Sequence, residues 1–265
     1  MRIVSWNINA LKAHEQAFRK AFNILKPDIF CLQETRVKEG QVSISFDGYK
    51  SYWNSADLHQ YYGTAVYMRN EFHPLSIEFD WPLGDYGYQG RLMVIEFRNF
   101  YLVNSYWPFS AYSKDGYWLK YRLEWTEELE YRLKQLRKLN PSIIVCGDMN
   151  IVRRPEDAFD GKHIKRQGCF YPEEHASFEH FMEYSYLTDA YRALHPAPVL
   201  PSERGIYTTW SYSRDDVNRK NNQGFRIDYF LVEERTMGRV RDCLICDDIT
   251  GSDHCPIVLD IDISI

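Results

Sequence analysis

The chain has 265 residues, of which 45% are hydrophobic, 26% charged and 16% aromatic, a composition that suits a folded globular chain and excludes a disordered or low-complexity one. Its formal net charge of −5 excludes capture of nucleic acid by bulk positive charge, so a polyanionic partner has to be met by local patches. No apolar run approaches the roughly 20 residues that cross a bilayer, and the six scattered cysteines show neither a small-domain disulfide spacing nor a complete zinc set, so reduced thiols in an intracellular, soluble protein are expected.

Met1-Arg2 leads straight into a strand-like segment at residues 3–7, so no signal or transit sequence is expected ahead of the fold. Leu11, Phe18, Phe22 and Leu25 follow at helical spacing, and Pro27 closes that segment. Ile29-Phe30-Cys31-Leu32 reads as a second buried strand. The unit is β-α-β, with Asn7, Asn9 and Glu34 just beyond the carboxyl ends of its strands.

Gly63 to Met68 reads as a strand, and Arg91 to Phe97 and Phe100 to Tyr106 make two more, joined by a tight turn at Arg98-Asn99 that predicts antiparallel pairing. Tyr106-Trp107-Pro108 ends the second of these with two aromatics. From Trp118, the positions Tyr121, Trp125, Leu129, Leu133 and Leu136 form a helical stripe, and Asn140-Pro141 stops it.

Ile143-Ile144-Val145-Cys146 then reads as a strand buried on both faces, ending in a turn at Gly147 that presents Asp148 and Asn150 at its carboxyl end. Ligands collect at such ends in open α/β sheets. Residues 153–204 are loop-rich, with a helical piece around Phe178 and Met182 and a basic cluster from Lys162 to Arg166. A second basic cluster runs from Arg214 through Arg219 and Lys220 to Arg226.

Tyr207 to Trp210 and Arg226 to Val232 read as strands. Asp228 is out of place in the second, because a buried carboxylate costs several kcal/mol unless it is paired. A donor is expected in Gly251-Ser252-Asp253-His254-Cys255-Pro256, ahead of an alternating strand at 257–263. A buried Asp lacking a donor and a loop His lacking an orienting partner suit one another, as in the carboxylate–imidazole pairs of hydrolases. Cys243 and Cys246 have the spacing of half a zinc site, but no second pair accompanies them.

Six segments, Ser5-Trp6-Asn7-Ile8-Asn9, Leu32-Gln33-Glu34-Thr35, Asn104-Ser105-Tyr106-Trp107-Pro108, Gly147-Asp148-Met149-Asn150, Arg226-Ile227-Asp228-Tyr229-Phe230 and Gly251 to Pro256, stand in one order along the chain. Together they resemble the exonuclease III-type abasic-site endonucleases of the endonuclease/exonuclease/phosphatase superfamily, over residues 3 to about 263.

The resemblance implies one domain over residues 1–265 with a DNase I-like, four-layer α/β sandwich: two packed mixed β-sheets flanked by helices. It implies Mg²⁺-dependent hydrolysis, with Mn²⁺ as an alternative, of the phosphodiester 5′ to an abasic site, together with 3′-end trimming. The expected partner is double-stranded DNA carrying such a site, with no membrane, and the chain is expected to act as a monomer. On matching positions, Glu34 is the implied principal metal ligand, with Asn9 nearby and Asp253 serving the metal region. Asp148, held by Asn150 and Asn7, is implied to activate water. His254, oriented by Asp228, would contact the phosphate, and Tyr106 a phosphate oxygen or the leaving group. Trp210 and Phe225 match pocket walls, and Gln167 and Arg226 are expected on the substrate side.

Asn9 stands where some relatives have Asp, Gln167-Gly168-Cys169-Phe170 replaces an Asn-Ala-Gly-Phe segment, and two further positions depart from the pattern. Phe109 replaces an Asn that would reach the phosphate, and Thr209 replaces a Phe found in some members, which predicts a looser pocket. A phosphatase or phospholipase of the same superfamily, and a non-catalytic DNA-binding relative, are the alternative readings.

Overall fold

A computed structural model describes residues 1–38, 40–55, 62–81, 89–139, 142–160, 168–196, 206–211 and 216–264. Gln167, the Lys162 to Arg166 cluster, Arg214 and the Asn140-Pro141 stop lie outside the described residues.

Among the described residues, twelve strands form two six-stranded sheets. The first contains β1 (Arg2–Asn7), β2 (Ile29–Gln33), β3 (Tyr49–Asn54), β4 (Thr64–Arg69), β11 (Val240–Ile245) and β12 (Ile257–Ile261), in the order β11-β12-β1-β2-β4-β3. The second contains β5 (Ser76–Phe79), β6 (Leu92–Glu96), β7 (Phe100–Tyr106), β8 (Ser142–Asp148), β9 (Leu187–Asp189) and β10 (Asp228–Glu233), in the order β5-β6-β7-β8-β10-β9. Both sheets are mixed: β1 runs parallel to β2 and β7 parallel to β8, while β8 and β10, and β1 and β12, are antiparallel.

Two-residue periodicity explains the layers. Ile3, Ile29, Cys31, Val66, Leu102, Ile144, Cys146 and Phe230 meet in one cluster between the sheets. The alternate residues face outward. Val4, Trp6, Phe30 and Leu32 pack on Leu11, Phe18 and Phe22 of α1 (Leu11–Leu25), and Val103, Val145, Tyr229 and Leu231 pack on Trp125 and Leu129 of α2 (Tyr117–Arg137) and Phe178 and Phe181 of α3 (Pro172–Tyr184). Strands covered on both faces read as unbroken apolar runs rather than alternating ones. The order helix, sheet, sheet, helix is the expected four-layer sandwich.

Some local expectations are revised. Tyr207 to Trp210 is not a strand; Thr209 makes isolated bridges to Phe225 and His254. β3, β5 and β9 were not anticipated; they are short, and β3 and β5 are half-exposed edge strands whose sequences carry no clean alternation. Gly147 lies within β8 and does not make its terminal turn: a Cβ there would stand 1.9 Å from the Ser105 carbonyl oxygen, so glycine is required by the close approach of β7. All six cysteines are free thiols. No described helix is long and apolar enough to cross a membrane.

Candidate active site

Following the inward-facing positions of each strand to its end leads from core to site. Ile3 is succeeded inward by Ser5 and Asn7, Cys31 by Gln33, Leu102 by Asn104 and Tyr106, Cys146 by Asp148, and Phe230, read backwards, by Asp228. The middle step is a buried polar layer in which Gln33 Nε2 donates to Asn104 Oδ1 at 2.7 Å and to Ser5 Oγ at 3.0 Å. The last step is a set of titratable groups at one end of the sandwich.

Strand register fixes their neighbours. Tyr106 and Asp148 are partners across β7 and β8, and Asp148 and Asp228 across β8 and β10. Asn7 reaches over from the other sheet: its Nδ2 donates to Asp148 Oδ2 at 2.9 Å and to Glu34 Oε1 at 3.0 Å. Because β12 runs antiparallel to β1, the segment just before it, Asp253-His254, lands at the same end. Gly251 packs so closely on α1 that a Cβ would stand 2.1 Å from that of Ala17. Trp6 Nε1 donates to the His254 carbonyl at 3.0 Å, and Ser252 Oγ to that of Asn7 at 2.8 Å.

Left-handed backbone turns the remaining side chains inward. Asn9 (φ 45°), Glu34 (φ 48°) and Asn150 (φ 46°) all occupy that region just after strand ends, a conformation that a non-glycine residue keeps only when its surroundings enforce it. The backbone N–H of Asn150 donates to Asp148 Oδ1 at 2.9 Å, whereas its side-chain amide donates to the Trp107 carbonyl. Asn9 Nδ2 donates to Asp253 Oδ1 at 2.8 Å.

The electrostatics follow from burial and crowding. Burial, then the Asp228 charge, pushes the Asp148 carboxyl up to about 7, against the pull of His254 and the Asn150 N–H. His254 is 6% exposed. Its burial alone would lower the imidazole, but the Asp228 charge, the 2.8 Å Nδ1 to Asp228 Oδ2 hydrogen bond and the Asp148 charge raise it to about 10. The ring is an imidazolium at neutral pH, with Nε2 3.9 Å from Asp148 Oδ2. Burial also acts on Asp253, yet His254 and the bonds from Asn9 and Ser252 hold it below the ordinary carboxylate value. The Tyr106 phenol is pushed well up by burial and the Glu34 charge, and stays protonated.

Among the described residues, Asp148, Asp228 and His254 bring ligating atoms within 4.8 Å of one another. The Asp228–His254 hydrogen bond occupies that group, so it is better read as a carboxylate–imidazolium pair. Glu34, Asp253 and the Asn9 side-chain carbonyl are the hard oxygen donors that suit a divalent cation such as Mg²⁺. Burial, together with the neighbouring Asp228 and Glu34 charges, raises the Asp148 carboxyl, and uncompensated negative charge of this kind is the condition that such a cation relieves. The residues present therefore fit a hard divalent cation.

Other expected residues lie elsewhere. Arg226 does not face substrate: it is wholly buried, and its guanidinium donates to Asp157 at 2.9 Å and Asp189 at 2.7 Å, since a buried charge needs dedicated partners. Arg219 lies over Trp210 and donates to the carbonyls of Ser252, Asp247 and Ile249, so this residue of the basic run serves as scaffolding for the 247–254 loop. Trp210 and Phe225 line two neighbouring cavities that share Ser211 and Asp253. Trp210 lines a cavity of about 540 Å³ with Asn9, Arg36 and Asp253, and Phe225 lines another of about 500 Å³ with Phe109, Asn150, Thr209 and Asp253.

Sequence reasoning missed Arg36, whose guanidinium pairs with Glu34 Oε2, and Arg91, which lies over both Tyr62 and Tyr106 at 3.8 and 4.8 Å. Arg36 stands two positions from Glu34 in the quoted motif, a signal that was there to read; Arg91 had no such signal.

Comparison with known proteins shows the family to which the chain belongs. The model of the Endonuclease/Exonuclease/phosphatase family matches residues 4–254. The exodeoxyribonuclease of Bacillus subtilis (strain 168) is 34% identical over 265 residues, covering 99% of this chain and all of that protein. A DNA-(apurinic or apyrimidinic site) endonuclease of Dictyostelium discoideum is 32% identical over 269 residues, covering all of this chain and 71% of that one. Among solved structures, the AP endonuclease of Leishmania major superposes with a TM-score of 0.80 at 27% identity, covering 99% of this chain and 88% of that one.

Proposed function

Because this chain belongs to the Endonuclease/Exonuclease/phosphatase family, we propose that it hydrolyses the DNA phosphodiester 5′ to abasic sites with the residues gathered around Asp148. It is a hydrolytic nuclease of the DNA-repair type. One observation carries the assignment of its site: Asn7 holds both Glu34 and Asp148, joining the first sheet's carboxylate to the second's beside an imidazolium.

In this reading, Asp148, fixed by the Asn7 amide and the Asn150 N–H, orients a water and takes its proton as general base. His254, charged and locked by Asp228, donates from Nε2 to a non-bridging oxygen as charge builds on the phosphate. The Tyr106 hydroxyl donates to the phosphate or to the departing 3′ oxygen, whose release leaves a 3′-hydroxyl end. Glu34, with Asn9 and Asp253, would hold a divalent cation, expected to be Mg²⁺, which when bound neutralises phosphate charge as a Lewis acid. Asn150 acts through its backbone, and Arg226 holds the start of β10 so that Asp228 stays beneath His254.

The same site also suits removal of 3′-terminal groups, because the bond broken is chemically the same. Matched duplexes carrying an internal abasic analogue, a recessed 3′ end or a 3′-phosphate, assayed with Mg²⁺ for wild type and Asp148→Asn, test the reading. Incision at the analogue that falls by at least about a hundredfold in Asp148→Asn is expected; a variant that still turns over near the wild-type rate overturns it.

A further inference from the structure

Between β7 and the first turn of α2 the chain exposes aromatic side chains of a kind that usually packs inside. Phe109 is 47% exposed, Tyr112 80%, Tyr117 45% and Trp118 37%. Exposed rings clustered on one short segment mark a contact surface rather than chance. Lys114 and Asp115 cancel within it, so the ridge carries aromatic surface without a surplus of positive charge.

Two routes connect this ridge to the reacting groups. Phe109 and Tyr112 line the cavity that also takes in Asn150, Asp253 and Phe225. The Phe109 ring lies directly on Gly168, where a Cβ would come within 2.7 Å of it, so backbone contact fixes the ring in place. On the other flank, Tyr117 meets Trp118 at 5.0 Å and Trp118 meets Tyr121 at 6.2 Å between ring centroids. Tyr121 and Arg91 both donate to Gln89 Oε1, at 2.7 and 2.9 Å, and Arg91 lies over Tyr62 and Tyr106. The segment is thus joined to the site at both of its ends, by a shared cavity at one and by a chain of side-chain contacts at the other.

Every nucleobase has a π face, and stacking on aromatic side chains binds single strands with little regard to sequence. Bases inside a duplex are already stacked on one another and have no free face to give. We propose that the 109–118 ridge docks the unpaired bases of a single-stranded nucleic-acid segment next to the phosphate under attack. The inference rests on the nuclease reading, which supplies the strand, but it concerns retention rather than chemistry. It gives a chain of net charge −5 a way to hold a strand that does not depend on counterion release.

The test is fluorescence anisotropy of the full chain in EDTA, where binding is read without turnover, against a thymidine homopolymer, an end-labelled inorganic polyphosphate of matched charge as the base-less strand, and a blunt duplex. The thymidine strand is expected to bind about tenfold or more tighter than the base-less one, and Tyr112→Ala or Trp118→Ala to weaken it by about tenfold, in line with the loss of one stacked base. Tyr112→Phe, which keeps the ring, is expected to bind as wild type does. Equal affinity for base-bearing and base-less strands overturns the proposal, as does a Tyr112→Phe variant as weak as Tyr112→Ala. Loss of self-association with strand binding intact overturns it too, and assigns the ridge to a second copy. Folding is checked by circular dichroism, and Tyr112 is exposed enough for truncation to leave the core alone. Incision of an abasic duplex with Mg²⁺, measured in parallel, separates failure of this inference from failure of the nuclease reading.

Discussion

Asp148 and Asp228 sit opposite each other on β8 and β10, and His254 bonds to only one of them: its Nδ1 is 2.8 Å from Asp228, while its Nε2 is 3.9 Å from Asp148. Two buried carboxylates side by side cannot share the same ionisation behaviour. The imidazolium divides them into an orienting partner and a carboxylate poised near 7.

From this, Asp228→Asn is expected to lower the His254 pKa from about 10 toward or below its ordinary 6.5, as burial then acts with less opposition. The sign for stability follows. A histidine raised in the folded state contributes stability below its unfolded pKa, and that contribution is lost as pH rises through about 10. Wild type should therefore exceed Asp228→Asn in unfolding free energy by most below pH 6.5, with the gap closing toward pH 10. Imidazole nitrogen shifts followed by NMR, together with urea melts across that range, check both; a ring titrating near 6.5 in wild type contradicts the pairing.

Removing the Glu34 charge should weaken the cation site rather than the fold. Glu34→Gln keeps an acceptor for Asn7 but releases Arg36 and leaves one carboxylate fewer among the hard oxygen donors. The expected outcome is a rise of about tenfold or more in the Mg²⁺ dissociation constant, or about 1.4 kcal/mol, read by isothermal titration. Unchanged Mg²⁺ affinity would mean that the cation is held elsewhere.

Arg226 makes the opposite prediction. Its guanidinium is shared between Asp157 and Asp189, with Arg192 also on Asp157. Arg226→Met strands buried carboxylate charge and should destabilise the protein by about 3–5 kcal/mol, seen in chemical denaturation. KM for an abasic duplex, measured well below the melting temperature, should stay near the wild-type value. A large KM rise with stability intact would restore Arg226 to the substrate side.

The fold was largely legible in the chain itself. Buried strands such as Ile29 to Leu32 and Ile143 to Cys146 showed as apolar runs, α1 and α2 as helical stripes, and the anomaly of Asp228 within an apolar strand called for the partner that His254 provides. What stayed hidden depends on register and approach. That Gly147 answers to Ser105, that the Asn150 N–H meets Asp148 while its amide points to Trp107, and that Trp210 and Phe225 line neighbouring cavities all turn on distances between segments far apart in sequence. Arg226 is the sharpest case. A cation in a polar, basic stretch looks like a surface group, and only the folded chain brings Asp157 and Asp189 around it. Local composition sets which groups can be buried or paired; tertiary packing alone chooses the partners, because the energy of a buried charge is decided by what stands within hydrogen-bond reach.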